Sequence, residues 1–220
     1  MEAYIMFKDR VDAGKRLAES VRDLRGPDTV VLGLPRGGVP VAREVARVLE
    51  APLDVIVVRK LGSARHPEYA VGAIGEDGVR IIDPAAVRMM GVSEAELAEV
   101  EARERTELAR RTEQFRSGGH RLDLTGKRAI LVDDGVATGS TAIAACRVAR
   151  QLGAREVVVA VPVAPPDWKA RFEGEADRLI ALETPERFFA VGQWYEKFEQ
   201  TTDAEVVACL RDHPYTMFAR

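Results

Sequence analysis

Cysteine is scarce. Cys146 and Cys209 stand far apart, with neither a CxxC pair nor Cys/His spacing. That excludes a disulfide scaffold and a thiolate metal site, and it fits a reducing cytoplasm. No apolar run approaches the ~20 residues of a membrane span. The opening residues carry charges at Glu2, Lys8, Asp9 and Arg10 instead of the apolar stretch of a signal peptide, so a cytoplasmic location is expected. Basic excess is missing too: 32 Lys and Arg against 35 Asp and Glu give a net charge of −3. Such a chain has no general means of neutralising a nucleic-acid backbone, and no nucleic-acid partner is expected. Two phosphate-loop signatures are also absent. No Lys follows Gly38 or Gly139 as a Walker loop requires, and no strand end carries G-x-G-x-x-G.

What remains is ordinary for a globular protein: 220 residues, 46% hydrophobic and 30% charged, enough for one α/β domain with a small appendage. Apolar runs at 29–34, 53–58, 129–132, 157–161 and 178–182 alternate with segments of helical spacing. That pattern predicts an open, mainly parallel sheet with helices on both faces. Pro162 is expected to close the fourth of these runs. In such sheets ligands bind beyond the carboxyl ends of the strands.

The most informative stretch is Ala129-Ile130-Leu131-Val132-Asp133-Asp134-Gly135-Val136-Ala137-Thr138-Gly139-Ser140-Thr141. A buried strand leads into two carboxylates, a loop of small residues and a helix beginning near Ala142. Loop amides and a helix N-terminus together favour an anion. Thr138, Ser140 and Thr141 add hydroxyl donors. Asp133 and Asp134 would repel a bare phosphate, so they must face another part of the same ligand, such as vicinal hydroxyls or a metal. This segment resembles the signature of type I phosphoribosyltransferases. The resemblance implies that Asp133 and Asp134 hold the ribose hydroxyls of phosphoribosyl diphosphate (PRPP). It implies equally that Gly135, Val136, Ala137, Thr138, Gly139, Ser140 and Thr141 hold its 5′-phosphate, with Mg²⁺ on the substrate.

Other segments take meaning beside it. Pro35-Arg36-Gly37-Gly38 follows the first strand and looks like the family's diphosphate loop, which often carries a strained peptide there. Arg59 and Lys60, at the end of the second run, match a basic pair that meets the leaving diphosphate in orotate-type members. Residues 61–69 have no apolar periodicity and suit the family's closing flap, with Arg65 and His66 as candidates for contact with the ligand. Ala70–Ile74 and Val79–Ile82 flank Gly75–Gly78 as a hairpin. Ser93 and Glu96 form a capping-box signature for a helix over about 93–116. Its Glu99–Arg103, Glu101–Arg105 and Glu107–Arg111 spacings, with a thin stripe at Leu97, Val100, Leu108 and Phe115, predict an exposed arm.

Residues 1–182 are thus expected to form the core and 183–220 a C-terminal hood. The hood's aromatics (Phe188, Phe189, Trp194, Tyr195, Phe198) read either as a small accessory core or as a stacking surface for a planar base. Phe188 to Gly192 is similar to a segment of hypoxanthine–guanine phosphoribosyltransferases. That similarity implies Phe189 on the base, Ala190 beside it, and Glu196 where those enzymes have a metal-associated Asp. Their purine-reading Lys has no counterpart near Pro162–Pro165, which leaves the base open. The family implies catalysis by Asp133, Asp134, Arg59 and Lys60 on PRPP and a nitrogenous acceptor, and it is compatible with a homodimer. A non-catalytic PRPP sensor is the other reading.

Overall fold

Branched apolar runs pair into one sheet, and a second, smaller sheet grows from the same chain. In the computed structural model, which describes residues 6–63, 66–116 and 121–214, the first half contains α1 (Arg10–Ser20), β1 (Thr29–Gly33), α2 (Gly38–Leu49), β2 (Leu53–Val55), β3 (Val58–Ser63), β4 (His66–Gly75), β5 (Arg80–Ile82), α3 (Pro84–Met90) and α4 (Glu94–Arg116). The second half contains β6 (Arg128–Val132), α5 (Ser140–Gln151), β7 (Glu156–Val163), α6 (Trp168–Arg171), β8 (Arg178–Glu183) and α7 (Asp203–Arg211). Five parallel strands lie in the order β2-β1-β6-β7-β8, and β3-β4-β5 form an antiparallel sheet.

Strand alternation divides the core in two. On β6, Ile130 and Val132 join the layer of α1, α2 and α7, while Ala129 and Leu131 join the layer of α5 and α6. Both faces of the sheet are therefore covered, which is why its strands read as unbroken apolar runs.

Three boundaries differ from the sequence expectation. The run from Leu53 to Val58 is two strands: β2 stays in the parallel sheet, and the chain leaves at Ile56–Val57 to begin β3. Arg59 and Lys60 consequently lie within β3, opposite Ile74 and Ala73, not at the end of a parallel strand. An apolar run cannot reveal a change of sheet, because both halves are buried. Secondly, β3 and β4 pair along much of the stretch read as a flap. Thirdly, β7 continues through Pro162 to Val163. Its pairing with β6 ends at Val132↔Ala160, so past that point only β8 flanks it and the missing N–H is tolerated.

The helix expected over 93–116 forms as α4. Ser93 donates from both its N–H and its hydroxyl to Glu96, whose own N–H donates back. It carries the Glu101–Arg105 and Glu107–Arg111 pairs, with Glu101 also paired to Arg80 of β5, while Arg103 turns to Glu104 instead of Glu99. The thin stripe is its docking edge: Leu97, Val100, Leu108 and Phe115 are buried, and α4 packs on β3, β4 and α7. The C-terminal segment divides. Residues near Trp194 and Tyr195 pack with Phe7 and Val163, whereas α7 crosses to α2 and α4. Among the described residues no helix is long and apolar enough to cross a membrane.

Candidate active site

Neighbouring strands β1 and β6, in register from Thr29↔Arg128 to Gly33↔Val132, release their loops side by side. The Leu34 N–H donates to the Val132 carbonyl at 2.8 Å and holds the loops together. Contact is then too close for side chains. A Cβ on Gly37 would lie 2.0 Å from Asp134 Oδ2, and one on Gly38 would lie 2.5 Å from the Val132 carbonyl and 2.8 Å from Asp133 Cα. Glycine at both positions lets the first loop rest on the acidic pair. The Pro35–Arg36 peptide in this loop is cis. Arg36 approaches Asp203 at 3.7 Å, at the start of α7.

The second loop runs from Asp133 to Gly139, where φ is +82° and α5 begins. The N–H groups of the first turn of α5 point out of the helix end toward the loop. Thr138 and Ser140 hydroxyls lie 3.1 Å apart, and Lys60 Nζ donates to Ser140 Oγ at 2.9 Å. Lys60 thereby brings β3 to the mouth of the loop. From the other side, Val136 N–H donates to the Val163 carbonyl, and Arg171 donates to the Ala137 carbonyl at 2.9 Å. The two candidate anion loops, the acidic pair and Lys60 thus converge.

The acidic pair is asymmetric. Asp133 Oδ1 accepts from the Asp134 N–H at 2.9 Å. Asp134 Oδ2 accepts from Arg10 Nε at 2.8 Å, and the Asp134 carbonyl accepts from the Tyr195 hydroxyl at 2.6 Å. The Arg10 guanidinium also donates to the Glu199 carbonyl and lies 4.1 Å from the centroid of Phe198, whose ring packs on Tyr195 at 4.9 Å. Burial pushes both carboxyls above the ordinary range. For Asp133 the Asp134 charge adds to that, whereas Arg10 pulls Asp134 back. Burial likewise raises the Tyr195 phenol, with Asp134 adding to the rise. Carboxylates in this state accept strongly from hydroxyl donors offered by a ligand.

Other candidates are placed differently. Arg59 is turned to α4, donating from Nε to Glu104 at 2.8 Å. Arg65 lies outside the described residues; His66 opens β4, and its side chain lies outside them as well. Phe189 is 83% exposed, and Ala190 beside it is exposed. The aromatics that are buried, Trp194 and Tyr195 with Phe7, make a small accessory core. Glu196 is exposed, its N–H donating to the Phe7 carbonyl. Val191 touches the loop, lying against the backbone of Gly135. Among the described residues no group of three or more His, Cys, Asp or Glu converges as a metal site. Asp133 and Asp134 are hard oxygen donors suited to Mg²⁺, but as two groups they fit an ion that keeps water and substrate oxygens.

No motif marks Arg10, Tyr195 or Glu104. Arg10 lies 124 positions before its partner in an ordinary helical first turn, where no local pattern sets it apart.

Comparison with known proteins gives a consistent answer. A family model described as "Phosphoribosyl transferase domain" matches residues 6–194. The chain is 56% identical over 214 residues to Mycobacterium tuberculosis proteins, from two strains, whose name reads "Putative phosphoribosyl transferase". The match covers 97% of this chain and 48% of theirs, so the chain spans about half the length of those relatives. The crystal structure of TT1426 from Thermus thermophilus is 45% identical, with a TM-score of 0.87 over 94% of this chain and 99% of that one.

Proposed function

The chain belongs to the phosphoribosyl transferase domain family, and from that premise we propose that it transfers ribose 5-phosphate from PRPP to a nitrogenous acceptor and releases diphosphate. The observation that carries this reading is the contact of the Gly37–Gly38 backbone with Asp133 and Asp134, with Lys60 tied to Ser140. One ligand with an anion at each end and a hydroxylated centre satisfies all three features.

In this reading Gly135 to Thr141 anchors the 5′-phosphate, and that remote binding energy fixes the anomeric carbon. Asp133 and Asp134 accept from the ribose hydroxyls, and their charge stabilises the cationic ring as the glycosidic bond breaks. Arg10 and Tyr195 hold Asp134 in place from behind. The Arg36–Gly38 loop, Lys60 and Arg59 meet the departing diphosphate. Mg²⁺ arriving with the substrate would neutralise diphosphate charge, backed by Asp133 and Asp134. Val191, against the sugar loop, and the exposed Phe189 and Ala190 border the acceptor side, with Glu196 just beyond.

Incubation with PRPP, Mg²⁺ and a panel of purine, pyrimidine and other nitrogenous acceptors tests the reading. Diphosphate release that depends on one acceptor supports transfer. Tight PRPP binding without release under any acceptor favours a sensor and refutes the catalytic proposal.

A further inference from the structure

On the diphosphate side the site opens into a cavity of about 560 Å³. Pro35 and Thr141 bring the two anion loops to its wall, and β3 contributes Arg59 and Lys60. The opposite wall is α4, with Arg103, Glu104 and Arg111. Among the described residues, four cations therefore face a single lining carboxylate. That carboxylate is shared: Glu104 Oε2 accepts from Arg59 Nε and lies 2.6 Å from its Nη2, while Oε1 lies 3.4 Å from Arg103 Nε. Arg111 is paired outside the lining with Glu107 at 2.7 Å, and Lys60 is tied to Ser140.

Electrostatics decides how such a cavity behaves. A surplus of positive charge lining one cavity favours a multiply charged anion, and focusing by the walls strengthens that preference. The internal counter-ion, Glu104, competes with the incoming anion for Arg59. We propose that α4 completes the diphosphate end of the site: Arg103 and Arg111 supply charge to it, and Glu104 holds Arg59 until the anion displaces it. Glu104 is then a positioning residue, acting through Arg59. This gives the long helix a role beyond covering β3, and it rests on the PRPP reading above.

The test is calorimetric titration of the full chain with inorganic diphosphate and Mg²⁺, and separately with ribose 5-phosphate. The variants are Arg103→Gln with Arg111→Gln, and Glu104→Gln. Removing the two arginines should weaken diphosphate binding by roughly tenfold or more and flatten its salt dependence, leaving ribose 5-phosphate binding as in the parent. Glu104→Gln should tighten diphosphate binding by roughly threefold or more, because Arg59 no longer has an ionised competitor. A purely structural role for the helix cannot produce effects of opposite sign. Unchanged diphosphate affinity in the double variant, or weaker binding in Glu104→Gln, overturns the proposal. If the parent binds ribose 5-phosphate but no diphosphate, this inference alone fails; if it binds neither, the PRPP reading fails with it.

Discussion

Among the described residues, two places set a pair of carboxylates beside an arginine, half-buried in one and buried in the other. Asp133 and Asp134 sit with Arg10, and Asp54 and Glu76 sit with Arg116. In both, burial is the largest influence and pushes the carboxyls upward; Glu76 reaches about 7. Their surroundings differ. The first pair lies where two parallel strands end, between two loops that open into helix N-termini, with Lys60 at the mouth. The second joins β2, the β4–β5 turn and the end of α4: Arg116 donates to the Val55 carbonyl, and Asp54 accepts from the Leu122 N–H. There the charges bolt the small sheet and α4 to the main sheet. A perturbed carboxylate is therefore no marker of a site by itself; what faces it decides.

Variants can break this contrast. The largest effect is expected for Arg116→Met, which takes from the buried Asp54 and Glu76 the cation that pairs with both and should cost about 3–5 kcal/mol in urea unfolding. Ribose 5-phosphate affinity of the folded fraction should stay as in the parent. Glu76→Gln sharpens the comparison through pH. Because the folded carboxyl titrates near 7 and an ordinary one near 4.5, its contribution is fully present below about 4.5 and is lost as pH rises through 7. The parent should therefore lose up to ~3 kcal/mol of stability across that window, and the Gln variant should lack this slope. Arg10→Met removes a charge-assisted hydrogen bond between half-buried side chains, and a smaller loss of about 2 kcal/mol is expected. It should also move the acid limit of ribose 5-phosphate binding to higher pH, since Arg10 holds the Asp134 carboxyl down. The smallest effect belongs to Glu107→Gln on α4: its carboxyl, held at about 2 by Arg110 and Arg111, is partly exposed at the surface, and the melting temperature should not change measurably.

Legibility follows the range of the interactions. The segment from Ala129 to Thr141 can be read because strand, acids, loop and helix start are contiguous and each residue type has a local reason. The Ser93–Glu96 cap is equally local. The Arg36–Gly38 loop is legible as a loop, but its rest against Asp133 and Asp134 is a tertiary fact. Arg10 carries no local signal, since its role depends on α1 crossing the sheet end. Resemblance to orotate-type family members points Arg59 at the diphosphate; its link to Glu104 depends on α4 lying over β3, which a thin apolar stripe does not disclose. The aromatics of the hood divide along burial: Trp194 and Tyr195 pack inward while Phe189 faces out, a choice that residue type does not determine.

The central claim is that Asp133 and Asp134 read a sugar while the neighbouring loop reads its phosphate. Calorimetry with ribose 5-phosphate and with inorganic phosphate, on the parent and on Asp133→Asn with Asp134→Asn, tests it most directly. The account predicts that the double variant keeps its fold by circular dichroism and its phosphate binding, yet loses about 3 kcal/mol or more of ribose 5-phosphate affinity. Equal ribose 5-phosphate affinity in the two proteins would contradict it.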